Sequence, residues 1–241
     1  MAKRQNTSHA VMAQRAEAAD SLDDFPTPPW ATRALLEHIV SKKAELKQLT
    51  CLEPACGAGH MAKVLIEYFG TVHASDVHDY GYGAVADFVT KSKKHLSTVP
   101  PAVDWIITNP PFRLAEDFLE VALLRARVGV ALLTRTVFIG SVGRYERIFK
   151  HNPPTRFAQF SERVPMVKGR LDKKASTATG YAWLVWEKSA KKKAQLAWVP
   201  PCRKALEREG DYDAAPPLTP PKATSTVRKR KRDPQPDLFA A

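Results

Sequence analysis

Residues 109–112 read Asn-Pro-Pro-Phe and follow an apolar run, Val103-Asp104-Trp105-Ile106-Ile107-Thr108. An amide, two rigid prolines and an aromatic ring are an unusual choice for a plain loop, where Gly, Asp or Ser serve as turn residues. Proline fixes its own φ and disfavours helical backbone in its predecessor, so Pro110 and Pro111 hold Asn109 and Pro110 extended. This aims the Asn109 carboxamide oxygen and the Pro110 carbonyl at one point. Two converging acceptors can each take an N–H from a planar exocyclic amine, which turns its lone pair toward an incoming electrophile. Phe112 can stack on the attached ring, worth roughly 1–3 kcal/mol for an extruded base. The competing reading is a Pro-rich turn with Phe112 in the core.

A second stretch, Glu53-Pro54-Ala55-Cys56-Gly57-Ala58-Gly59, lies between a strand-like and a helix-like run. Gly57 and Gly59 let the backbone turn sharply and approach a ligand with no Cβ in the way. Glu53 ends the strand, where open α/β sheets place their ligands. The pattern is neither G-x-G-x-x-G nor a P-loop, so it gives no support for a phosphate cradle. An ordinary Gly-rich turn is the alternative. Asp76 ends the next strand, about 20 residues beyond the glycine turn, where an acid binds ribose hydroxyls in such folds. A solvated Asp76, with Asp79 in its place, is the competing reading. Asp87 and Phe88 form an acid–aromatic pair that can bond an adenine amino group and stack on its ring. They equally suit a core Phe beside a loop Asp.

These residues need a scaffold, and the hydrophobic pattern supplies one. Helical periodicity is expected over 29–40, 60–69, 114–126 and 144–150, and buried strands over 49–54, 71–77, 103–108 and 128–134. Short apolar strands alternating with helices imply right-handed crossovers and a parallel sheet. After Pro154 the rhythm changes to two β segments, 156–164 and 180–188, joined by a polar loop and expected to pair antiparallel. The fold class is therefore α/β, Rossmann-like, with a mostly parallel sheet and a C-terminal antiparallel hairpin. The domain is expected over 23–188, with a flexible arm at 1–22 and a basic, Pro-rich, disordered tail at 189–241 that cannot bury enough apolar surface to fold.

The 241 residues carry 37 Lys and Arg against 25 Asp and Glu, a formal net charge of +12. Such an excess suits a polyanion, because cations that neutralise phosphates release condensed counterions; a tail that merely keeps the chain soluble is the bland reading. Apolar residues make up 44% of the chain, enough for a core. No run is long enough to span a membrane, and no secretory h-region is present. Three cysteines without C-x-x-C spacing argue against both a disulfide framework and a zinc site, and point to a reducing interior.

The set resembles the class I S-adenosylmethionine-dependent methyltransferases, and among them the N6-adenine DNA methyltransferases with an NPPF/Y motif. The resemblance covers about residues 24–188. Phe25, Thr27 and Pro28 of Phe-Pro-Thr-Pro-Pro-Trp match that group's N-terminal element, which implies a place at the methionine end of the cofactor. Glu53, Pro54, Ala55, Gly57 and Gly59 match its cofactor loop, Asp76 its ribose acid, Asp87 and Phe88 its adenine-flanking pair, and Asn109, Pro110, Pro111 and Phe112 its catalytic motif. The resemblance implies S-adenosylmethionine as cofactor, a flipped-out adenine as target, and direct displacement with no metal and no covalent enzyme intermediate. It implies a cytoplasmic setting in a bacterial or phage-infected cell. One departure is the lack of a separate target-recognition domain, which suggests a small stand-alone enzyme like those of phages and mobile elements. The basic loop with Lys168, Arg170, Lys173 and Lys174 is then the candidate DNA contact. RNA bases and protein glutamine amides present the same planar amine and remain alternatives, as does a non-catalytic DNA- or clamp-associated protein.

The chain ends Gln-Pro-Asp-Leu-Phe-Ala-Ala, in which Gln235, Asp237, Leu238 and Phe239 reproduce the spacing of a bacterial sliding-clamp-binding peptide. A chance match is the alternative, as it is for any short motif. The run 228–232, Arg-Lys-Arg-Lys-Arg, reads as a DNA-binding tail, a nuclear signal or a solvated charge run.

Overall fold

A computed structural model describes residues 23–40, 43–89, 102–190 and 193–213. The expected arm at 1–22, the run at 228–232 and the clamp-peptide residues Gln235, Asp237, Leu238 and Phe239 lie outside the described residues. The elements, in chain order, are α1 (Pro29–His38), β1 (Thr50–Glu53), α2 (His60–Ile66), β2 (Thr71–Asp76), β3 (Ala84–Val85), β4 (Val103–Thr108), α3 (Ala115–Arg125), β5 (Ala126–Arg135), α4 (Val142–Arg144), β6 (Arg156–Phe160), β7 (Tyr181–Glu187), β8 (Gln195–Val199) and α5 (Arg203–Leu206). A wide π-helical turn, Tyr145–Phe149, continues α4.

The strands form one eight-stranded sheet in the order β3-β2-β1-β4-β5-β7-β6-β8. All neighbours pair parallel except those of β7, which runs antiparallel to both β5 and β6. Both faces of the sheet are covered. Trp30, Leu35 and Leu36 of α1 and Val64 and Leu65 of α2 pack with Trp105, Ile107, Leu133 and Trp183 on one face. Phe118 and Leu119 of α3 pack with Ile106, Leu132 and Leu184 on the other. A strand buried on both sides reads as a continuous apolar run, which is why β4 and β5 are plain in the sequence. The Trp183 indole N–H donates to the Ala31 carbonyl at 3.1 Å, which satisfies its one polar group in the core. No described helix is long and apolar enough to cross a membrane.

The expected end of the domain at residue 188 is corrected by β8. Gln195–Val199 adds a parallel edge strand to β6, and α5 follows at Arg203–Leu206. The short alternation Gln-Leu-Ala-Trp-Val is embedded among lysines and prolines, so its composition resembles a tail. Burial of Val199 and Cys202 against the α1 face holds it in place.

Arg33 ties this late segment to the body. Its side chain is 4% exposed and bridges Glu67 at 2.7 Å and Asp211 at 2.8 Å, and it also donates to the Leu206 carbonyl at 2.8 Å. Burial alone would lower the guanidinium pKa; the bonds to Glu67 and Asp211 more than offset this and raise it. Removing one partner of a buried, fully bonded ion pair costs about 3–5 kcal/mol. Arg33→Met should therefore move the urea midpoint down by that amount of stability and release residues 203–213 to proteolysis. A midpoint equal to wild type would show that the bridge is idle.

Candidate functional site

Strand order reverses between β1 and β4, and the chain leaves these two strands toward opposite faces, through α2 on one side and α3 on the other. This opens a crevice at their C-terminal ends, where ligands of open α/β sheets bind. Glu53 ends β1, Asp76 ends β2 and Asn109 follows β4; all three line one cleft with Phe25, Thr27, Ala55, Gly57 and Pro111. Gly57 has φ 49° and Gly59 φ 82°, left-handed values that other residues adopt at a cost. A Cβ on Gly59 would meet the Tyr82 ring at 2.5 Å. The Gly57 N–H donates to one Asp76 oxygen at 2.9 Å and the His78 N–H to the other at 3.1 Å, so Asp76 fixes the glycine turn. Asp79 instead accepts from the Gly81 N–H within its own exposed turn.

Residues 23–28 lie across the motif as a strap. The Asn109 Nδ2 donates to the Phe25 carbonyl at 2.9 Å, and the Phe112 N–H donates to the Asp23 carboxylate at 2.9 Å. The Gly169 N–H donates to the Asp24 carbonyl at 2.8 Å, which brings the 161–180 loop to the same place. Because a carbonyl fixes the amide nitrogen, the Asn109 Oδ1 must point the other way, and it is buried with no hydrogen-bond partner. Thr27 Oγ1 and Glu53 Oε2 are likewise buried and unpartnered. A buried polar atom without a partner costs about 1–3 kcal/mol, and these three, lining one cleft at the strand ends, are groups a bound molecule could satisfy.

The cleft is acidic. Glu53 is 2% exposed. Burial, then the neighbouring Asp76 charge, push its carboxyl well above the ordinary range, although the Ala62 N–H bonds to it. Asp24 is raised by burial and by Asp76, with Lys168 acting against both. The Cys56 thiol is pushed up to about 12 by burial, Glu53 and Asp76, so it is no nucleophile at neutral pH. Burial, helped by Asp24 and Asp76, raises the Tyr80 hydroxyl to about 12. Carboxylates held together in a cavity favour a cationic guest. The unpartnered atoms and the charge fit a ligand that carries a sulfonium and hydroxyl groups. The cleft encloses about 70 Å³, below the roughly 300–1,000 Å³ of small-molecule sites.

The sequence-singled residues divide. Pro28 precedes α1 and Pro54 is buried; neither lines the cleft. Pro110 is buried, and the Phe112 ring lies 5.6 Å from that of Phe25. Asp87 and Phe88 do not line the cleft. The Phe88 ring is 2% exposed and packs on Phe118 and under Arg125, as the core-Phe reading expects. Asp87 bonds the Val89 N–H locally. In the basic loop, Lys168 neighbours Asp24, Arg170 pairs with Asp172 at 3.4 Å, and Lys173 reaches Glu207 at 3.5 Å and the face of Tyr212; Lys174 is exposed. The structure adds Asp23, Asp24, Tyr80 and Met166, whose sulfur lies 3.7 Å from Asn109 Nδ2. Only the adjacency of Asp23 and Asp24 to Phe25 hinted at two of these. A wider groove of about 840 Å³ between α3 and the end of β7 holds no residue from the β1 or β4 ends, and its Glu116 and Glu187 are paired with Arg144, Arg147 and Arg156.

No family model matches the chain, and no curated protein matches it. Among solved structures, the fold is similar to a putative RNA methyltransferase from Pyrococcus horikoshii, with a TM-score of 0.51 and 16% identity, over 74% of this chain and 96% of that one. It is also similar to the methyltransferase subunit of a type I restriction-modification system from Streptococcus thermophilus, with a TM-score of 0.54 and 10% identity over 78% of this chain. The match spans half of that longer subunit, 50%. At these identities the likeness is one of fold: the chain has the mixed α/β, mostly parallel sheet of these methyltransferases.

The raised Glu53 carboxyl predicts a stability signature. A group whose folded pKa exceeds its unfolded value stabilises fully below the unfolded value, and this contribution is lost as pH rises through the folded one. Glu53→Gln removes the loss. The variant should melt higher than wild type at pH 7.5, with the gap closing near about pH 4, the usual carboxyl range. A lower melting temperature for Glu53→Gln at pH 7.5 would contradict the assigned burial penalty.

Proposed function

We propose that this protein transfers a methyl group from S-adenosylmethionine to the N6 amine of adenine in DNA. The observation that carries this reading is the Asn109 carboxamide, anchored through Nδ2 to the Phe25 carbonyl with its Oδ1 buried and unpartnered. Such an oxygen is set to accept one N–H of a guest amine without reorganising, and preorganised polar groups are the largest single source of catalysis in many enzymes. Pro110 and Pro111 keep the backbone extended so that a carbonyl can take the second N–H. When bound, S-adenosylmethionine supplies an electrophilic methyl group on a cationic sulfur. Glu53, Asp24 and Asp76 give that charge its counter-ions, and Thr27 Oγ1 and Glu53 Oε2 gain the partners they lack. Asp76, fixed by the Gly57 and His78 amides, offers remaining lone pairs to ribose hydroxyls. Closing residues 23–28 over the guest excludes water from the amine.

The formal charge of +12 supports a nucleic acid over a protein glutamine, because phosphate neutralisation drives such binding. One fold neighbour is described as an RNA methyltransferase and another as part of a restriction-modification system, so both polymers belong in the test. An adenine amine inside a duplex is out of reach, and the target must leave the stack.

Asn109→Ala should lower transfer of a labelled methyl group onto DNA by about 10²–10³-fold, the usual cost of removing one preorganised polar group. Cofactor affinity should fall no more than about fivefold, the equivalent of the single hydrogen bond to Phe25. Labelled transfer onto DNA, RNA and protein run in parallel, with nucleoside digestion of the two nucleic acids, should place the label in N6-methyl-2′-deoxyadenosine from DNA. Label confined to protein, or unchanged transfer by the variant, would overturn the reading.

A further inference from the structure

Three described side chains gather around the Phe112 ring. The Phe25 ring lies 5.6 Å away and that of Tyr181 6.4 Å away, both tilted. The Arg135 guanidinium carbon stands 3.9 Å from the Phe112 ring centroid, about the distance of a stacked ring. Arg135 closes β5 opposite Tyr181 in antiparallel register and donates to the Tyr181 hydroxyl. Its Nε is nevertheless buried with no hydrogen-bond partner. The Asp23 carboxylate accepts from the Phe112 N–H, and its charge raises the Tyr181 hydroxyl pKa where Arg135 lowers it. Guanidinium is planar, delocalised and weakly hydrated, so it stacks on aromatic faces much as a base does.

A planar cation therefore rests on the surface where the proposed function would seat a planar base. We propose that Arg135 is a displaceable stand-in for the target base: it holds the stacking face of Phe112 until a nucleobase takes that place, and then swings outward toward the polymer's phosphates. The inference rests on the proposed role of Phe112. The unpartnered Nε supports displacement over permanent bracing, since a guanidinium leaving the site regains water or phosphate at a donor that now has neither. The swap also carries selectivity. A nucleobase replaces the guanidinium with a larger aromatic plane, whereas the smaller carboxamide of a glutamine covers less of the Phe112 ring and compensates less for the lost cation–π contact.

The test uses the full-length chain saturated with S-adenosylhomocysteine, which keeps the cofactor cleft filled, and titrates adenosine by calorimetry. Arg135→Ala should bind adenosine about tenfold more tightly than wild type, equivalent to about 1.4 kcal/mol, with S-adenosylhomocysteine affinity unchanged within about twofold of wild type. Arg135→Gln, which shortens the side chain and loses the charge but keeps a polar amide, should shift the same way by a smaller factor, and it serves where the alanine variant melts early. Adenosine binding equal to or weaker than wild type in the folded variant overturns the proposal, because Arg135 would then be a partner of the bound base or a brace. Failure of wild type to bind S-adenosylhomocysteine at all instead sinks the proposed function, and this inference with it.

Discussion

β1 sits between β2 and β4, and the chain departs from β1 and β4 toward opposite faces of the sheet. No crossover can then fill the space above their C-terminal ends, so that space remains a crevice with strand-end residues at its rim. Among the described residues, Glu53, Gly57, Asp76 and Asn109 all line that gap. The glycine turn after β1 bends low enough to leave it open, Asp76 at the end of β2 holds the turn through two backbone amides, and the motif after β4 forms its far wall. At the other end of the strands, Asp104 bonds the Thr50 N–H and hydroxyl and the Arg127 guanidinium. This pins β1, β4 and β5 together where no ligand is needed.

The crevice is costly to maintain. A core that satisfies Trp183 with the Ala31 carbonyl and Arg33 with two carboxylates leaves Glu53 Oε2, Thr27 Oγ1 and Asn109 Oδ1 without partners. Buried polar groups are normally paired, and three of the exceptions among the described residues share this cleft at a topological switch point. The same cluster explains the electrostatics. Glu53 and Asp24 are pushed toward the neutral form by burial and by each other's neighbour Asp76, a conflict that a cationic guest would relieve. The surrounding core, buried on both faces of the sheet, supplies the stability that this cleft withdraws.

The strap at residues 23–28 links the two halves of the site. It lines the acidic cleft through Asp24, Phe25 and Thr27, and the same few residues bond Asn109 and Phe112. Any outward movement that admits a ligand must loosen contacts to the motif, and reclosure must restore them. The strap thus touches both the acidic cleft and the Asn109 amide. Met166 and Gly169 bring the 161–180 loop onto the strap as well, so this loop and the strap share one mouth.

The sequence determined the α/β alternation, the strand Val103–Thr108, the antiparallel pairing of Arg156–Phe160 with Tyr181–Glu187, and the placement of the Asn-Pro-Pro-Phe and Glu-Pro-Ala-Cys-Gly-Ala-Gly stretches at strand ends. Periodicity and proline stereochemistry are local properties, and a single chain displays them. Tertiary structure decided the rest. Phe88 entered the core because Phe118 of α3 and Arg125 close around it, a contact across 30 residues or more that no local pattern encodes. Gln195–Val199 became a strand because β6 offered an open edge, although its flanks carry the composition of a tail. Asp24, Tyr80 and Arg135 acquired their positions only when β1, β2, β4 and β5 met at one end of the sheet. A residue's type can announce that it is able to do chemistry; which residues share a cavity depends on strand order, and strand order is settled by burial summed over the whole chain.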